Sequence, residues 1–210
     1  MKEYFDKAFT KIAVLGSGTM GGQIAAHFAN LGFDTTMFDT SEEALSKSIA
    51  MMKKLKPTPF ASPSVSGLIK TSTYDDLTPI SGCDFIIESI VENLDIKKKL
   101  FKQISPHVND NAILVTNTSG LSIQKIAESA PDSLRSRIFG VHFFNPPRYL
   151  PLVELIRTSY SDESLLMKAE GFITSALGKE VVYAKDSPAF VANRIGVFSF
   201  MAVLKHAENF

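Results

Sequence analysis

The sequence predicts an α/β fold built on a mostly parallel, doubly wound sheet. Three observations carry that expectation. Short β-branched and apolar runs such as Lys11-Ile-Ala-Val-Leu15 are continuous rather than alternating, as in strands buried on both faces. Segments of helical period lie between those runs, which is the pattern of crossover connections in a parallel sheet. A glycine-rich turn, Gly16 to Gly21, stands directly between the first run and the first helical segment.

Taken in order, Lys11–Leu15 reads as the first strand, and Met20, Ile24, Phe28 and Leu31 recur at helical spacing until Gly32 stops the pattern. Thr35 to Phe38 reads as a strand ending in Asp39, and Thr40-Ser-Glu-Glu43 supplies a capping-box start for a helix running to Lys54. Pro57, Pro59 and Pro63 mark a loop. Asp84-Phe-Ile-Ile-Glu88 and Ala112-Ile-Leu-Val-Thr116 read as buried strands separated by a lysine-rich helix ending near Ile104. Arg137–Phe143 and Leu152–Ile156 add two strands, Asp162–Leu177 a helix closed by Gly178, and Lys179–Ala184 a last strand. Val191 to His206 reads as a helix with apolar residues on every side, which expects burial against structure outside the chain: a second domain or another subunit.

The 210 residues carry 22 Lys+Arg against 22 Asp+Glu, so the net charge is zero, which argues against a nucleic-acid or anionic-membrane binder. With 45% hydrophobic and 21% charged residues the chain is of globular composition. No apolar run approaches the roughly 18 residues that a membrane span needs, so no membrane insertion is expected. Cys83 is the single cysteine and no secretory leader is evident at Met1 to Phe9, which together suggest a cytoplasmic protein. No His, Cys, Asp or Glu cluster has metal-ligand spacing, and no metal is expected.

Gly16-Ser-Gly18-Thr19-Met20-Gly21 gains weight from its setting, after a strand and opening a helix. The first glycine permits the tight turn, the second admits a pyrophosphate to the backbone, and the third lets helix and strand pack closely. Asp39 lies about 20 residues further on, where an acid accepts hydrogen bonds from a ribose and repels a 2′-phosphate, so NAD is favoured over NADP. A capped turn without a ligand, or another nucleotide such as FAD, fits the same residues less fully. The pattern is that of a Rossmann-type domain.

Three polar groups fall where strands should end, at the edge where open α/β sheets bind ligands: Asn117-Thr-Ser119, His142, and Glu154 within the next strand. Oxidation of an alcohol needs a base for the hydroxyl proton, and imidazole titrates near neutrality. A carboxylate in reach would fix the ring's tautomer, and Glu154, isolated in Leu152-Val-Glu-Leu-Ile156, needs a partner if buried. A strand-end histidine is more often structural, and Asn-Thr-Ser-Gly is also ordinary turn chemistry.

Six motifs in order, Gly16 to Gly21, Val91-Glu-Asn-Leu94, Asn117-Thr-Ser119, His142-Phe-Phe-Asn-Pro146, Val153-Glu154 and Asp186-Ser-Pro-Ala-Phe-Val-Ala-Asn-Arg194, resemble the L-3-hydroxyacyl-CoA dehydrogenases. The likeness is greatest to the long bacterial form acting in fatty-acid β-oxidation. It implies NAD-dependent oxidation of an L-3-hydroxyacyl-CoA substrate to the 3-ketoacyl-CoA. By the same resemblance His142 is the base, Glu154 its support, Ser119 a hydrogen-bond donor to the substrate oxygen, and Asn193 the completion of the polar site. Glu92, Lys97 and Asn145 fall on cofactor-contacting positions, joining Gly16, Gly18, Thr19, Met20, Gly21, Asp39 and Asn117.

The resemblance also implies a division into a cofactor domain, 1–186, and a linker with the first helix of a C-terminal all-helical domain, 187–210, the rest of that domain being truncated. A homodimer or a multidomain setting is implied for the whole protein. Two departures stand out: Gly120 where many members carry a second serine, and Ala189 where a glycine is common. Lys53, Lys54 and Lys56 are either CoA-phosphate contacts or a solvated helix end. Two other readings compete, a cofactor-binding module without turnover of its own and a lysine-dependent β-hydroxyacid dehydrogenase.

Overall fold

The structure, a computed structural model, describes residues 9–207. In chain order these form β1 (Lys11–Leu15), α1 (Thr19–Asn30), β2 (Asp34–Asp39), α2 (Glu42–Met52), β3 (Lys70–Thr73) and β4 (Phe85–Glu88). Then follow α3 (Leu94–Ile104), β5 (Ile113–Thr116), α4 (Ile123–Ser129), α5 (Asp132–Arg135), β6 (Ile138–Phe143) and β7 (Leu152–Ile156). The chain continues through α6 (Glu163–Gly171) and β8 (Glu180–Ala184) to α7 (Ala192–Ala207).

All eight strands join one sheet in the order β3-β2-β1-β4-β5-β6-β7-β8. From β1 the chain first builds outward through β2 and β3 and then returns to lay β4 on the other side of β1. That reversal opens a crevice at the carboxyl ends of β1 and β4, where ligands bind in open α/β sheets. The strands from β3 to β6 are parallel, whereas β7 runs antiparallel to β6. No helix occurs between β6 and β7, and a parallel return needs a crossover of a dozen or more residues.

Strand alternation divides the core between the two faces. Ile12, Val14, Phe85 and Val115 pack with α1, α2 and α6, while Ala13, Leu15, Ile86 and Leu114 pack with α3 and α4. The first face is centred on Phe9, Phe28, Phe33, Phe85 and Phe172, whose neighbouring rings lie 4.8–6.2 Å apart. Burying each such ring stabilises the fold by roughly 1.5–3 kcal/mol, which holds α1 rigidly under the glycine loop.

Several elements differ from the sequence expectation. β3 is a polar edge strand, paired only to β2, and so carries no apolar signal. α4 and α5 are short and went unread for the same lack of periodicity. The helix expected over 162–177 closes as α6 at Gly171 and continues as a wider turn, 172–176, with Leu177 N–H bonded to Phe172 O at 3.2 Å. α7 forms over the residues expected to be helical and, like a helix whose partner lies outside the chain, has no buried residue, its Phe198 being 75% exposed. No helix among the described residues is long and apolar enough to cross a membrane.

His27, near the end of α1, is buried and its Nε2 has no hydrogen-bond partner among the described residues. Burial pushes its pKa down to about 4, with the Lys179 charge adding to the effect and a hydrogen bond to the Leu177 backbone opposing it. The unfolded chain takes up a proton near 6.5 that the folded chain refuses until about 4. The stability this neutral imidazole permits is complete above 6.5 and declines as pH falls, by up to about 1.4 kcal/mol per unit. Thermal denaturation should therefore show a melting temperature that drops between pH 6.5 and 5, and His27→Leu should flatten the slope. Identical slopes in both proteins would show that another group governs it.

Candidate functional site

The fold itself requires glycine at two positions of the loop after β1, for different reasons. Gly16 has φ +101°, and a Cβ there would lie 2.6 Å from the Ser89 carbonyl oxygen. A Cβ on Gly21 would lie 2.0 Å from Gly16 O, so α1 can approach the loop only without a side chain. A Cβ on Gly18 would meet nothing within 4 Å. Gly18 faces open space at the amino end of α1, whose first turn holds no acid and whose first amides lack helical partners. An anionic group fits there.

The loop opens on a cleft of about 790 Å³ lined by Gly16, Gly18, Thr19, Met20, Asp39 and Glu92 from the expected set, with Asn117 and Ser119 at its inner end. Tyr74, Ile90, Ile96, Leu100 and Gln103 also line it, and none of these was singled out by sequence. Asp39 Oδ2 accepts from the Ser17 N–H at 2.7 Å and the Ser17 hydroxyl at 2.6 Å, and Oδ1 accepts from Thr40 N–H at 2.7 Å. Burial pushes its pKa up, but these hydrogen bonds outweigh that effect and hold the carboxyl below its ordinary range. Asp39 is thus an anion that braces the glycine loop.

A chain of charges supports the inner end of the cleft. Glu88, fully buried at the end of β4, accepts from Lys97 Nζ at 2.5 Å, from Ile90 N–H at 2.7 Å and from the Thr116 hydroxyl. Lys97 also lies 3.4 Å from Glu92 Oε2. Glu92 Oε1 in turn accepts from Ser119 N–H at 2.8 Å, Gly120 N–H at 2.7 Å and the Thr118 hydroxyl. Burial raises the Glu92 pKa, but those donors and Lys97 overcome it and hold Glu92 ionised. Three expected cofactor contacts do not line the cleft: Gly21 packs against Gly16, Lys97 is wholly buried between the two glutamates, and Asn145 Oδ1 accepts from Gln23 Nε2 at 3.0 Å. Glu88 went unread although it is an acid in an apolar strand, the same signal that marked Glu154.

His142 and Glu154 face each other directly across β6 and β7. Nδ1 of His142 lies 2.7 Å from Glu154 Oε2, and both residues are buried. The other carboxylate oxygen accepts from the N–H groups of Val191 and Ala192, each at 2.9 Å. Asn193 follows one residue later, in the first turn of α7. Asn117 connects this pair to the cleft, since it lines the cleft and its Oδ1 accepts from Phe143 N–H, beside His142, at 2.9 Å. Lys53, Lys54 and Lys56 are exposed at the end of α2. Among the described residues no three His, Cys, Asp or Glu side chains are grouped to hold a metal ion.

Removing the Glu92 carboxylate leaves a row of backbone donors at 119–121 without an acceptor. Glu92→Ala should therefore speed hydrogen exchange of the Ser119 and Gly120 amides at least tenfold while the β5 amides keep their protection. Unchanged exchange in the loop would show that Glu92 does not hold it.

The profile of the 3-hydroxyacyl-CoA dehydrogenase NAD-binding domain matches residues 11–187. A protein of Bacillus subtilis named "Probable 3-hydroxyacyl-CoA dehydrogenase" is 38% identical over 95% of this chain, which spans 28% of that relative's length. A 3-hydroxybutyryl-CoA dehydrogenase of Mycobacterium tuberculosis strain H37Rv is 32% identical over 96% of this chain and 72% of its own length. The crystal structure of (S)-3-hydroxybutyryl-CoA dehydrogenase PaaH1 from Ralstonia eutropha superposes with a TM-score of 0.76, at 36% identity, covering 89% of this chain and 67% of that one. With its glycine loop, reversed sheet order and cleft in the places just described, this chain belongs to the 3-hydroxyacyl-CoA dehydrogenase family and comprises its NAD-binding domain.

Proposed function

We propose that this domain carries out NAD-dependent oxidation of L-3-hydroxyacyl-CoA to 3-ketoacyl-CoA, the dehydrogenation step of fatty-acid β-oxidation, with His142 as general base. The observation that carries the reading is the buried His142–Glu154 pair, 2.7 Å apart and linked to the cleft through Asn117. An ionised carboxylate at Nδ1 makes that nitrogen the donor and leaves Nε2 as the acceptor. His142 then takes the proton of the substrate hydroxyl on Nε2 as the C3–O bond becomes a carbonyl. Glu154 keeps its charge and stabilises the imidazolium that forms, because Oε1 remains tied to the two amides. Ser119 donates a hydrogen bond to the same substrate oxygen, and Asn193 completes the polar surroundings of the reacting group.

The residues of the cleft fit NAD on three grounds. Gly18 leaves open space before the α1 terminus, the terminus offers unpaired amides, and Asp39 is ionised at the ribose end. Gly16, Gly18, Thr19, Met20 and Gly21 would hold the pyrophosphate, Asp39 the ribose, and Glu92 and Asn117 the inner end. Lys97 supports this set through Glu92, and Asn145 through Gln23 on α1. When bound, NAD supplies the hydride acceptor. The same reading takes 1–186 as the cofactor-binding unit and 187–210 as a linker and helix.

NADH consumption with acetoacetyl-CoA tests the reaction in reverse. Turnover is expected, and His142→Gln should lower it by about 10²–10⁴-fold with NADH affinity within twofold. Equal loss of turnover and affinity would count against a base role. NADH binding without turnover in the unsubstituted chain would favour a cofactor-binding module, and activity on a free 3-hydroxy acid alone would favour a different class of hydroxyacid dehydrogenase.

A further inference from the structure

The connection from β8 to α7 is strained and turns one residue, Phe190, into the interior, where connecting loops are ordinarily relaxed and exposed. Ala189 at φ 61° and Phe190 at φ 46° are consecutive residues in the left-handed region, and neither is glycine. Such a pair persists only where its surroundings over-determine it. Those surroundings are specific. At one end Asp186 accepts from the Ser122 hydroxyl at 2.7 Å, Ile123 N–H at 3.0 Å and Gln124 N–H at 2.9 Å, fixing the first turn of α4 directly after the Ser119 loop. At the other end Val191 and Ala192 give their N–H groups to Glu154.

Between these anchors Phe190 turns inward and is 2% exposed. Its ring lies 5.6 Å from the His142 ring and packs with Ile123, Ile156 and Ala184, while Phe144 approaches the imidazole at 4.6 Å. Two amides could reach Glu154 from a relaxed loop. The left-handed pair lies where the chain brings the Phe190 ring to His142 and the next two amides to the carboxylate.

We propose that residues 186–192 form a positioning strap for the reacting groups, in which Phe190 is a positioning residue that holds the His142 ring in line with Glu154. The proposal rests on the reading of His142 as the base. The Ala189 departure acquires a meaning on the same ground: the position common to glycine is the one where the strap enters the left-handed region.

The test follows the His142 Nδ1 proton by NMR in this chain, identified as the downfield imidazole resonance missing from His142→Gln. Phe190→Ala should shift or broaden that resonance and lower kcat with acetoacetyl-CoA about tenfold or more, leaving NADH affinity within twofold. Phe190→Leu, which keeps most of the volume, should recover part of both, and it supplies the comparison if Phe190→Ala fails to fold. Ala189→Gly should raise the melting temperature and leave the resonance in place. An unaltered resonance and kcat in Phe190→Ala and Phe190→Leu, with only a lower melting temperature, would overturn the proposal. Full turnover in His142→Gln would instead overturn the base reading, and the resonance would still decide whether Phe190 holds the ring.

Discussion

A carboxylate withdrawn from water must be given donors, and the way Glu154 receives three of them governs the geometry of the whole inner site. One comes from His142 on the adjacent strand and two from the backbone that enters α7. A buried charge left with fewer partners would cost several kcal/mol. The two strands and the connection to α7 are therefore fixed relative to one another by a single group. The antiparallel pairing of β7 with β6 sets Glu154, in the middle of its strand, directly opposite His142, the penultimate residue of β6.

The cofactor side of the molecule repeats the principle with different residues. Glu88 ends β4 fully buried, and it is compensated by an ammonium, a hydroxyl and an amide. Its partner Lys97 carries the pairing on to Glu92, which gathers the loop bearing Ser119. Asp39 gathers the glycine loop in the same manner. Three acids, Asp39, Glu88 and Glu92, thus brace the loops that follow β1, β4 and β5. Such preorganisation fixes the dipoles of the strand ends before any ligand arrives.

Stiffness in the framework matches this arrangement. The aromatic cluster beneath α1 and the tight packing of Gly21 against Gly16 hold the helix terminus to the sheet. Gly140 serves a related end on β6, where a Cβ would come within 3.1 Å of Ile123, the first residue of α4.

Much of this was legible in the residues. The strand and helix alternation followed from continuous apolar runs and helical spacing, and the glycine loop with Asp39 announced a dinucleotide site because each residue serves a local backbone need. Ser41 capping α2 through Ala44 N–H at 3.2 Å is likewise a local matter. β3, α4 and α5 were not legible, since a polar edge strand and short helices leave no periodic trace. What the sequence by itself determined was the main alternation of strands and helices, the glycine turn after β1, and the chemical identity of His142, Glu154, Asp39 and the loop residues. Only the tertiary structure decided which of them meet: the register opposing His142 to Glu154, the burial of Glu88 and Lys97, and the inward turn of Phe190. Those contacts join residues far apart in the chain, so they depend on strand order and direction, which no local propensity encodes.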